Sequence, residues 1–257
     1  MTERLIIARN HVADSENRIH SDDIAQRYGF RGGLVAGVTV YAYLTWPLVA
    51  EYGDAWLGRS ISEVKLLKPA YDQETLRIAL ASRDGQLTTT CRNEAGDMLA
   101  ELRSSMPALM PDLSDDSCFQ APCKPAGRPV IEWSNLLPMQ PFKPWHWMIT
   151  EDQNRVFAEQ ADDPLSVYHE SAHPHWMLAV ANQALVREYV LPAWIHVGSE
   201  IRMHRRLKVN QTVEVQAVPL DKWERKGHQF LRLFVRFVRD GEVTTEILHT
   251  AIFRVAS

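Results

Sequence analysis

Apolar residues concentrate in two long segments, each followed by shorter segments in which apolar and polar residues alternate. In residues 33–52 the apolar positions cover nearly every face of a helix, and they include Leu34, Val35, Val38, Val40, Leu44 and Leu48. A second such segment starts after Pro174, which suits a first helical turn, and contains Trp176, Met177, Leu178, Val180, Ala181, Leu185 and Val186 before Pro192. Because a helix that is apolar all round must be enclosed, the pattern predicts two buried central helices.

Alternating segments after each helix predict β-strands. The clearest are residues 75–83 and 212–218. The pairs Asp84-Gly85 and Asp240-Gly241 are typical of tight hairpins, in which both turn residues adopt positive φ. Each part of the chain therefore predicts one helix followed by three or four antiparallel strands.

The two parts repeat each other. Trp56 followed by Ser62, Glu63 and Val64 recurs as Trp194 followed by Ser199, Glu200 and Ile201. In the final strand of each copy a glutamate, Glu101 or Glu246, falls at the same step after a Gly-acid pair. The order predicts an α+β protein of two tandem domains, each an antiparallel sheet wrapped around a long central helix. Pairing of the two sheets edge to edge would remove one exposed edge from each.

The boundaries of the domains follow from a proline-rich stretch between the copies. Eight prolines lie between residues 106 and 144, together with three aspartates. Such a composition is typical of a semi-extended linker. We predict an N-terminal domain over residues 1–106, a linker over 107–144 and a C-terminal domain over 145–257.

Composition and charge argue against several classes of function. The 257 residues carry a net charge of −4 and contain 46% hydrophobic residues, so the chain can bury a core and offers no broad basic face for nucleic acid. The three cysteines match no zinc or redox spacing, and we expect neither a metal nor another cofactor. The first ten residues lack an apolar signal core and no segment suits a membrane span, so we expect a cytoplasmic protein.

Candidate chemistry is concentrated just before the first helix. The stretch 14–23 reads Asp-Ser-Glu-Asn-Arg-Ile-His-Ser-Asp-Asp, and Gly33 and Gly37 follow it. It resembles the MaoC-like (R)-specific enoyl-CoA hydratase family, whose motif is Asp-x-Asn-Pro-x-His followed by a Gly-rich helix entrance. Asn17 and His20 stand in register with the Asn and His of that motif, and Gly37 matches the glycine whose N–H binds the thioester carbonyl.

The resemblance implies two hot-dog domains and an acyl-CoA or acyl-carrier-protein thioester as the partner molecule; pairing of two chains into a homodimer stays open. Ser15 stands where the family has its catalytic aspartate, and Ala36 stands where the family usually has His. The expected catalytic residues are His20, Glu16, Asn17 and Asp14. The expected substrate-binding residues are Gly37, Ser15, Gly33 and Arg202.

Several alternatives stay open at this point. A His near a helix start is often a capping or turn residue, and the basic residues around Arg202 are often only a solvated face. The second copy has Asp163-Pro164-Leu165-Ser166 at the corresponding place, with serine instead of a base, while His173 and His175 flank Pro174 nearby. Hydration or dehydration of an enoyl thioester is therefore the first hypothesis. Thioester hydrolysis and a non-catalytic acyl-binding subunit are the others.

Overall fold

The computed structural model describes residues 2–13 and 15–256, and ten of its strands form one antiparallel sheet. In chain order the strands are β1 (Thr2–Ile7), β2 (Ser60–Leu66), β3 (Thr75–Arg83), β4 (Gln86–Asn93), β5 (Met98–Ser105), β6 (Trp145–Trp147), β7 (Ile195–Met203), β8 (Val213–Arg225), β9 (His228–Arg239) and β10 (Glu242–Arg254). The helices are α1 (Asp22–Arg27), α2 (Gly37–Gly58), α3 (Glu151–Gln160) and α4 (His175–Glu188). The order across the sheet is β1-β3-β4-β5-β2-β7-β10-β9-β8-β6.

The sheet joins two halves of like topology at its centre. Strand β2 pairs antiparallel with β7 from Ser60↔Met203 to Lys65↔Gly198, so the second strands of the two repeats form the seam. Counted outward from this seam and including the seam strand, each half contributes five strands in corresponding order. The predicted edge-to-edge pairing and the predicted α+β arrangement are confirmed.

Helix α2 is buried as predicted, but it begins at Gly37 instead of Gly33. Residues before it are extended: Leu34 forms a β-bridge with Tyr71, and the Val35 N–H donates to the Ala70 carbonyl at 2.9 Å. Those backbone hydrogen bonds compete with the first helical turn. The helix is also interrupted near its end by Gly53, at φ 51° and ψ −133°.

Helix α4 follows Pro174 directly and ends at Glu188, before Pro192. It packs against β10 and against α2 of the other half. The two central helices therefore touch each other beneath one continuous sheet, and buried residues from both halves form one hydrophobic core.

Two-residue hairpin turns occur at both predicted positions and at a third. Asp84 and Gly85 have φ of 51° and 77°, and Asp240 and Gly241 have φ of 52° and 78°. The third turn has Lys226 and Gly227 at 50° and 77°, and it joins β8 to β9. Lys-Gly is a weaker turn signal than Asp-Gly, which is why the pattern of the sequence missed it.

The proline-rich stretch between the halves packs onto them. Its regular structure among the described residues is one 3₁₀ turn at Ser117–Phe119. Ile131, Leu136 and Phe142 are buried in the shared core, and Lys124 lies 3.4 Å from Glu188 of α4. The domain boundaries stay a prediction, because the halves share both the sheet and the core. Among the described residues no helix is long and apolar enough to cross a membrane.

Candidate active site at the seam of the two halves

A cavity of about 200 Å³ opens where the entrance of α2 meets the start of β7. It is lined by the Arg18–His20 turn, the α2 entrance, the loop after β2, α4 and the start of β7. Most of the lining is apolar, and the polar side chains in it are Asn17, His20, Lys68, Asn182, Trp194 and His196. An apolar cleft with a few convergent polar groups is the usual form of a small-molecule site.

His20 presents its basic nitrogen at this cavity beside the Asn17 amide. Its Nδ1 lies 2.7 Å from the carbonyl oxygen of Leu34, and because a carbonyl only accepts, Nδ1 carries the ring hydrogen. The lone pair is then on Nε2, where it accepts a hydrogen bond of 3.3 Å from the side-chain N–H of Asn17. Burial lowers the pKa of His20, and the Leu34 hydrogen bond offsets this only in part. His20 is therefore a neutral base near pH 7.

Asn17 holds the His20 turn against the second half. Its side-chain nitrogen donates to the Trp194 carbonyl at 3.0 Å, and the Trp194 N–H donates back to its oxygen at 3.2 Å. The same oxygen accepts a hydrogen bond from the Ile19 N–H at 3.4 Å. Asn17 is buried, so its amide fixes both the turn that carries His20 and the position of β7 relative to it.

Gly37 begins α2 at the wall of the cavity. Ala36 precedes it and gives no side-chain cap; its carbonyl accepts from the Thr39 N–H at 2.9 Å, and the Gly37 and Val38 N–H groups have no partner among the described residues. A Cβ on Gly37 would collide with Leu66 Cδ1 and would lie 3.2 Å from His196 Nδ1. A side chain here would have to displace Leu66, so close packing favours glycine, and the helix start presents N–H donors beside a histidine of the other half.

The expected carboxylates are not brought to this cavity. Glu16 is exposed and forms an ion pair with Arg128 of the interdomain stretch. Asp14 lies outside the described residues. Among the residues that the structure describes, none that lines the cavity is an aspartate or a glutamate.

Three expected substrate-binding residues also lie apart from the cavity lining. The Ser15 hydroxyl makes a 3.4 Å contact with the Asn17 carbonyl. Gly33 supports the site indirectly: its N–H donates to Asp22 at 2.7 Å, and a Cβ there would collide with the His20 carbonyl oxygen. Arg202 is on β7, where its neighbours are Ser114 at 3.5 Å and Glu246 at 4.0 Å.

Three polar residues of the second half line the cavity and were not predicted. They are Asn182 on α4, Trp194 just before β7, and His196 on β7. The side-chain oxygen of Asn182, the Nε1 of Trp194 and the Nδ1 of His196 have no hydrogen-bond partner among the described residues. Trp194 was visible in the sequence as part of the repeat, whereas a single histidine or asparagine in an apolar segment gave no signal.

The corresponding entrance in the second half is packed instead of hollow. Asp163 and His173 are both buried, with Asp163 Oδ2 3.1 Å from His173 Nε2 and 3.0 Å from the Tyr168 hydroxyl. The His175 ring stacks on Phe157 at 3.6 Å, and its Nδ1–H donates to the Val38 carbonyl at 3.1 Å. These polar groups partner one another, so this entrance is a structural network.

The described residues give little support for a cysteine nucleophile or a metal site. Cys91 is buried in β4, and burial raises the pKa of its thiol to about 12, which keeps it protonated and unreactive. The part of the chain that the structure describes contains no group of three or more His, Cys, Asp or Glu arranged to hold a metal ion.

Comparison with known proteins shows the fold. No family model matches the chain, and no curated protein matches its sequence. Among solved structures, a MaoC-like dehydratase is 10% identical with a TM-score of 0.60, covering 97% of each chain. RV0216 of Mycobacterium tuberculosis, described as having a double hot-dog fold, is 13% identical with a TM-score of 0.64, covering 97% of this chain and 93% of that one. An oleoyl thioesterase from Lactobacillus plantarum is 13% identical with a TM-score of 0.52, covering 99% and 96%.

The chain thus has the double hot-dog fold along nearly its whole length, as predicted from the repeat together with the resemblance of residues 15–37. At 10 to 13% identity these likenesses establish the fold alone. One fold hosts several reactions, so the chemistry has to be argued from the cavity.

Proposed function

We propose that the chain binds a short acyl thioester in the cavity at the seam and uses His20 as the base for addition or removal of water. The observation that carries the proposal is the neutral His20 ring, anchored through Nδ1 to the Leu34 carbonyl, with its Nε2 lone pair at an apolar cleft. The resemblance of residues 15–37 to the MaoC-like motif supports the same reaction.

The chemistry needs a base, an acid and stabilisation of an enolate-like oxygen. In the hydration direction His20 Nε2 removes a proton from water as its oxygen bonds to the β-carbon of the enoyl thioester. The resulting imidazolium is the nearest acid, and it returns the proton to the α-carbon. The N–H groups at the start of α2, beginning at Gly37, favour the negative charge on the thioester oxygen. Dehydration is the reverse sequence.

The volume of the cavity favours a short chain. About 200 Å³ corresponds to roughly seven groups of the size of a water molecule, taken at ~30 Å³ each. A butenoyl or hexenoyl group fits this volume, with the carrier outside. The apolar walls, which include Leu34, Val40 and Leu66, suit such a chain.

Thioester hydrolysis is the second candidate, and one observation favours it. Within the described residues the cavity has a base and lacks a carboxylate. Hydrolysis requires base-activated water and stabilisation of a tetrahedral oxyanion, and the thiolate leaves without a carbon being protonated. The similarity of fold to the oleoyl thioesterase is consistent with this reaction.

The two reactions are separated by two assays on the same protein. Crotonyl-CoA is followed by loss of its enoyl absorbance, and butyryl-CoA by release of free thiol. The variant His20→Asn keeps a side-chain N–H near the Leu34 carbonyl and removes the basic lone pair. We expect it to lower kcat/KM by about 10²- to 10⁴-fold in whichever assay is positive.

Glu16→Gln is the matched control on the same segment. Because Glu16 is exposed and paired with Arg128, we expect kcat/KM within about twofold of the unmodified protein. Activity unchanged in His20→Asn would exclude His20 as the base. Silence in both assays with retained butyryl-CoA binding would leave an acyl-binding subunit, and absence of binding as well would refute the proposal.

The pH dependence gives an independent test. The base must be neutral, and burial lowers the pKa of His20 below its ordinary value of 6.5. Activity is therefore expected to be full above pH 6.5 and to fall only as the pH drops through the lowered pKa of His20. An acid limb centred above pH 6.5 would contradict this assignment.

A further inference from the structure

The wall that the second half contributes to the cavity carries one amide that the chain itself does not satisfy. Asn182 of α4 borders the cavity, and its side-chain oxygen is enclosed without a hydrogen-bond partner among the described residues. Its side-chain nitrogen makes no hydrogen bond to those residues either, but unlike the oxygen it is not enclosed. A polar group without a partner in the wall of a cavity indicates that its partner comes from outside the chain.

Asn182 lies at the inner end of the cavity. Leu67 and Lys68 are exposed lining residues, and they mark the outer end. Val40 and Asn182 belong to the two central helices, which touch each other beneath the sheet. The carrier of an acyl thioester is much larger than the cavity, so it must leave past the exposed residues. The end of the acyl chain then points toward the two helices.

The other polar side chains of the lining do not offer a free N–H to the end of an acyl chain. The Asn17 amide is bonded to the backbone of Trp194, and the Lys68 ammonium is bound to a carboxylate at 2.6 Å. The Nε1 of Trp194 and the Nδ1 of His196 are enclosed. Among the described lining residues, Asn182 therefore offers the amide nitrogen that is both accessible and unbonded.

The corresponding position in the first half is apolar. Seven residues after the first residue of each central helix, Gly37 or His175, the chain has Leu44 in α2 and Asn182 in α4. Leu44 is fully buried. This place in the fold therefore accepts leucine, which also favours a helix more than asparagine does. Helix formation and core packing do not call for the amide, so we look to the cavity for its role.

The amide favours an uncharged polar group at the end of the acyl chain. A purely alkyl end would cover the amide and leave it without a partner, which is costly. A carboxylate end would need a cation, but among the described lining residues the cation is Lys68, at the outer end and 2.6 Å from Asp97. A hydroxyl oxygen accepts a hydrogen bond from the amide N–H and brings no charge.

We propose that Asn182 is a specificity-determining residue that binds a hydroxyl group at the end of the acyl chain. The inference rests on the proposed function, since it names the class of acyl group that the same cavity takes. That class is a short hydroxyacyl thioester, with the hydroxyl several carbons beyond the thioester. The cavity of about 200 Å³ limits the chain to the same length as the butenoyl and hexenoyl groups considered above.

The test compares acyl chains that differ only in the terminal group. Pentanoyl-CoA is matched with 4-hydroxybutyryl-CoA, and hexanoyl-CoA with 5-hydroxypentanoyl-CoA, so that a hydroxyl replaces the terminal methyl in each pair. All four are titrated into the His20→Asn protein, where none is consumed, and each thioester is checked to be intact after the titration. We expect about tenfold tighter binding of the hydroxyl member in at least one pair.

Two substitutions of Asn182 remove the amide. Asn182→Leu has a similar volume and copies the residue of the first half, so we expect the hydroxyl preference to disappear while the alkyl member binds at least as tightly as before. A general disturbance of the cavity would weaken both members of a pair. Asn182→Ala adds no volume, and it should lose the preference in the same way if leucine disturbs the packing of α4.

Gln183→Leu is the matched control. It replaces an amide by leucine one residue further along α4, and Gln183 does not line the cavity. We expect the hydroxyl preference to be the same as in the His20→Asn parent, within about twofold.

Each outcome has one meaning. Equal binding of both members at both chain lengths would overturn the assignment of Asn182, and this is the result expected if the amide holds only a water molecule. An unchanged hydroxyl preference in Asn182→Leu and Asn182→Ala, or its loss in Gln183→Leu, would also overturn the assignment while leaving acyl binding intact. Failure of butyryl-CoA and of all four thioesters to bind would overturn the proposed function, and this inference with it.

Discussion

The two helix entrances of this protein occupy equivalent places in the fold, yet one is hollow and the other is filled. At the first, the N-cap and first residue of α2 are Ala36 and Gly37, and a cavity adjoins them. At the second, α4 has Pro174 and His175 there, and the His175 ring stacks on Phe157. Small side chains thus leave space for a ligand where larger ones complete the core.

The polar groups at the two entrances also differ: those at the second partner one another, and His20 at the first borders the cavity. In the second half Asp163, Tyr168 and His173 partner one another in a buried network. In the first half His20 has one nitrogen anchored and one directed to an apolar cavity that the second half completes. A histidine before a central helix can therefore act chemically where a cavity adjoins its ring, as at His20, and is structural where the ring is enclosed by packing.

The largest expected effect on stability comes from breaking the second entrance. Asp163→Ala would leave the Tyr168 hydroxyl and the His173 N–H buried without their acceptor. We therefore expect the free energy of unfolding to fall by about 3 kcal/mol. Urea denaturation measures this directly. Glu159→Ala on the exposed side of α3, where Glu159 pairs with Arg155, should cost about 0.5 kcal/mol or less. An equal loss of unfolding free energy in Asp163→Ala and Glu159→Ala would show that the buried network does not stabilise the fold more than a surface ion pair does.

A second prediction uses one substitution at both entrances. Ala36→Phe extends into the cavity, so we expect little change in thermal stability and at least a tenfold loss of butyryl-CoA binding. Ala172→Phe enters a packed region and should lower stability by about 1–3 kcal/mol while leaving ligand binding unchanged below the melting temperature. Thermal unfolding and ligand titration of both variants test the contrast. Similar behaviour of the two variants would contradict it.

A third prediction concerns the pH dependence of stability. Burial lowers the pKa of His175 to about 3, against 6.5 when unfolded, so its contribution is fully present above pH 6.5 and is lost as the pH falls toward 3. Within that window each such group lowers the free energy of unfolding by about 1.4 kcal/mol for every unit by which the pH falls. His175→Asn should reduce the slope by about one proton, measured by urea unfolding at pH 7, 6 and 5. The exposed control His169→Asn should leave the slope as it was.

The helices, strands and turns could be predicted from the sequence because each depends on residues that are close together in the chain. The apolar face of α4, the alternation in β3 and the Asp-Gly turns each involve residues within a few positions of one another. The predicted start of α2 was wrong by four residues, because a hydrogen bond to Ala70 in the loop after β2 and a bridge to Tyr71 hold the preceding residues extended.

Only half of the candidate site could be predicted from the sequence, for the same reason. A local motif pointed to Asn17, His20 and Gly37, all of which line the cavity. Nothing local revealed that Glu16 would be drawn away by Arg128, 112 positions along the chain.

By itself the sequence determined a duplicated α+β chain with two buried helices and a histidine before the first of them. Only the tertiary structure decided which entrance is hollow and which residues of the second half complete it. Asn17 and Trp194 are separated by 177 positions, and a bulge in β7 sets the direction of His196. Such contacts depend on how two finished halves pack, and packing is set by side-chain volumes and hydrogen bonds that no local pattern encodes.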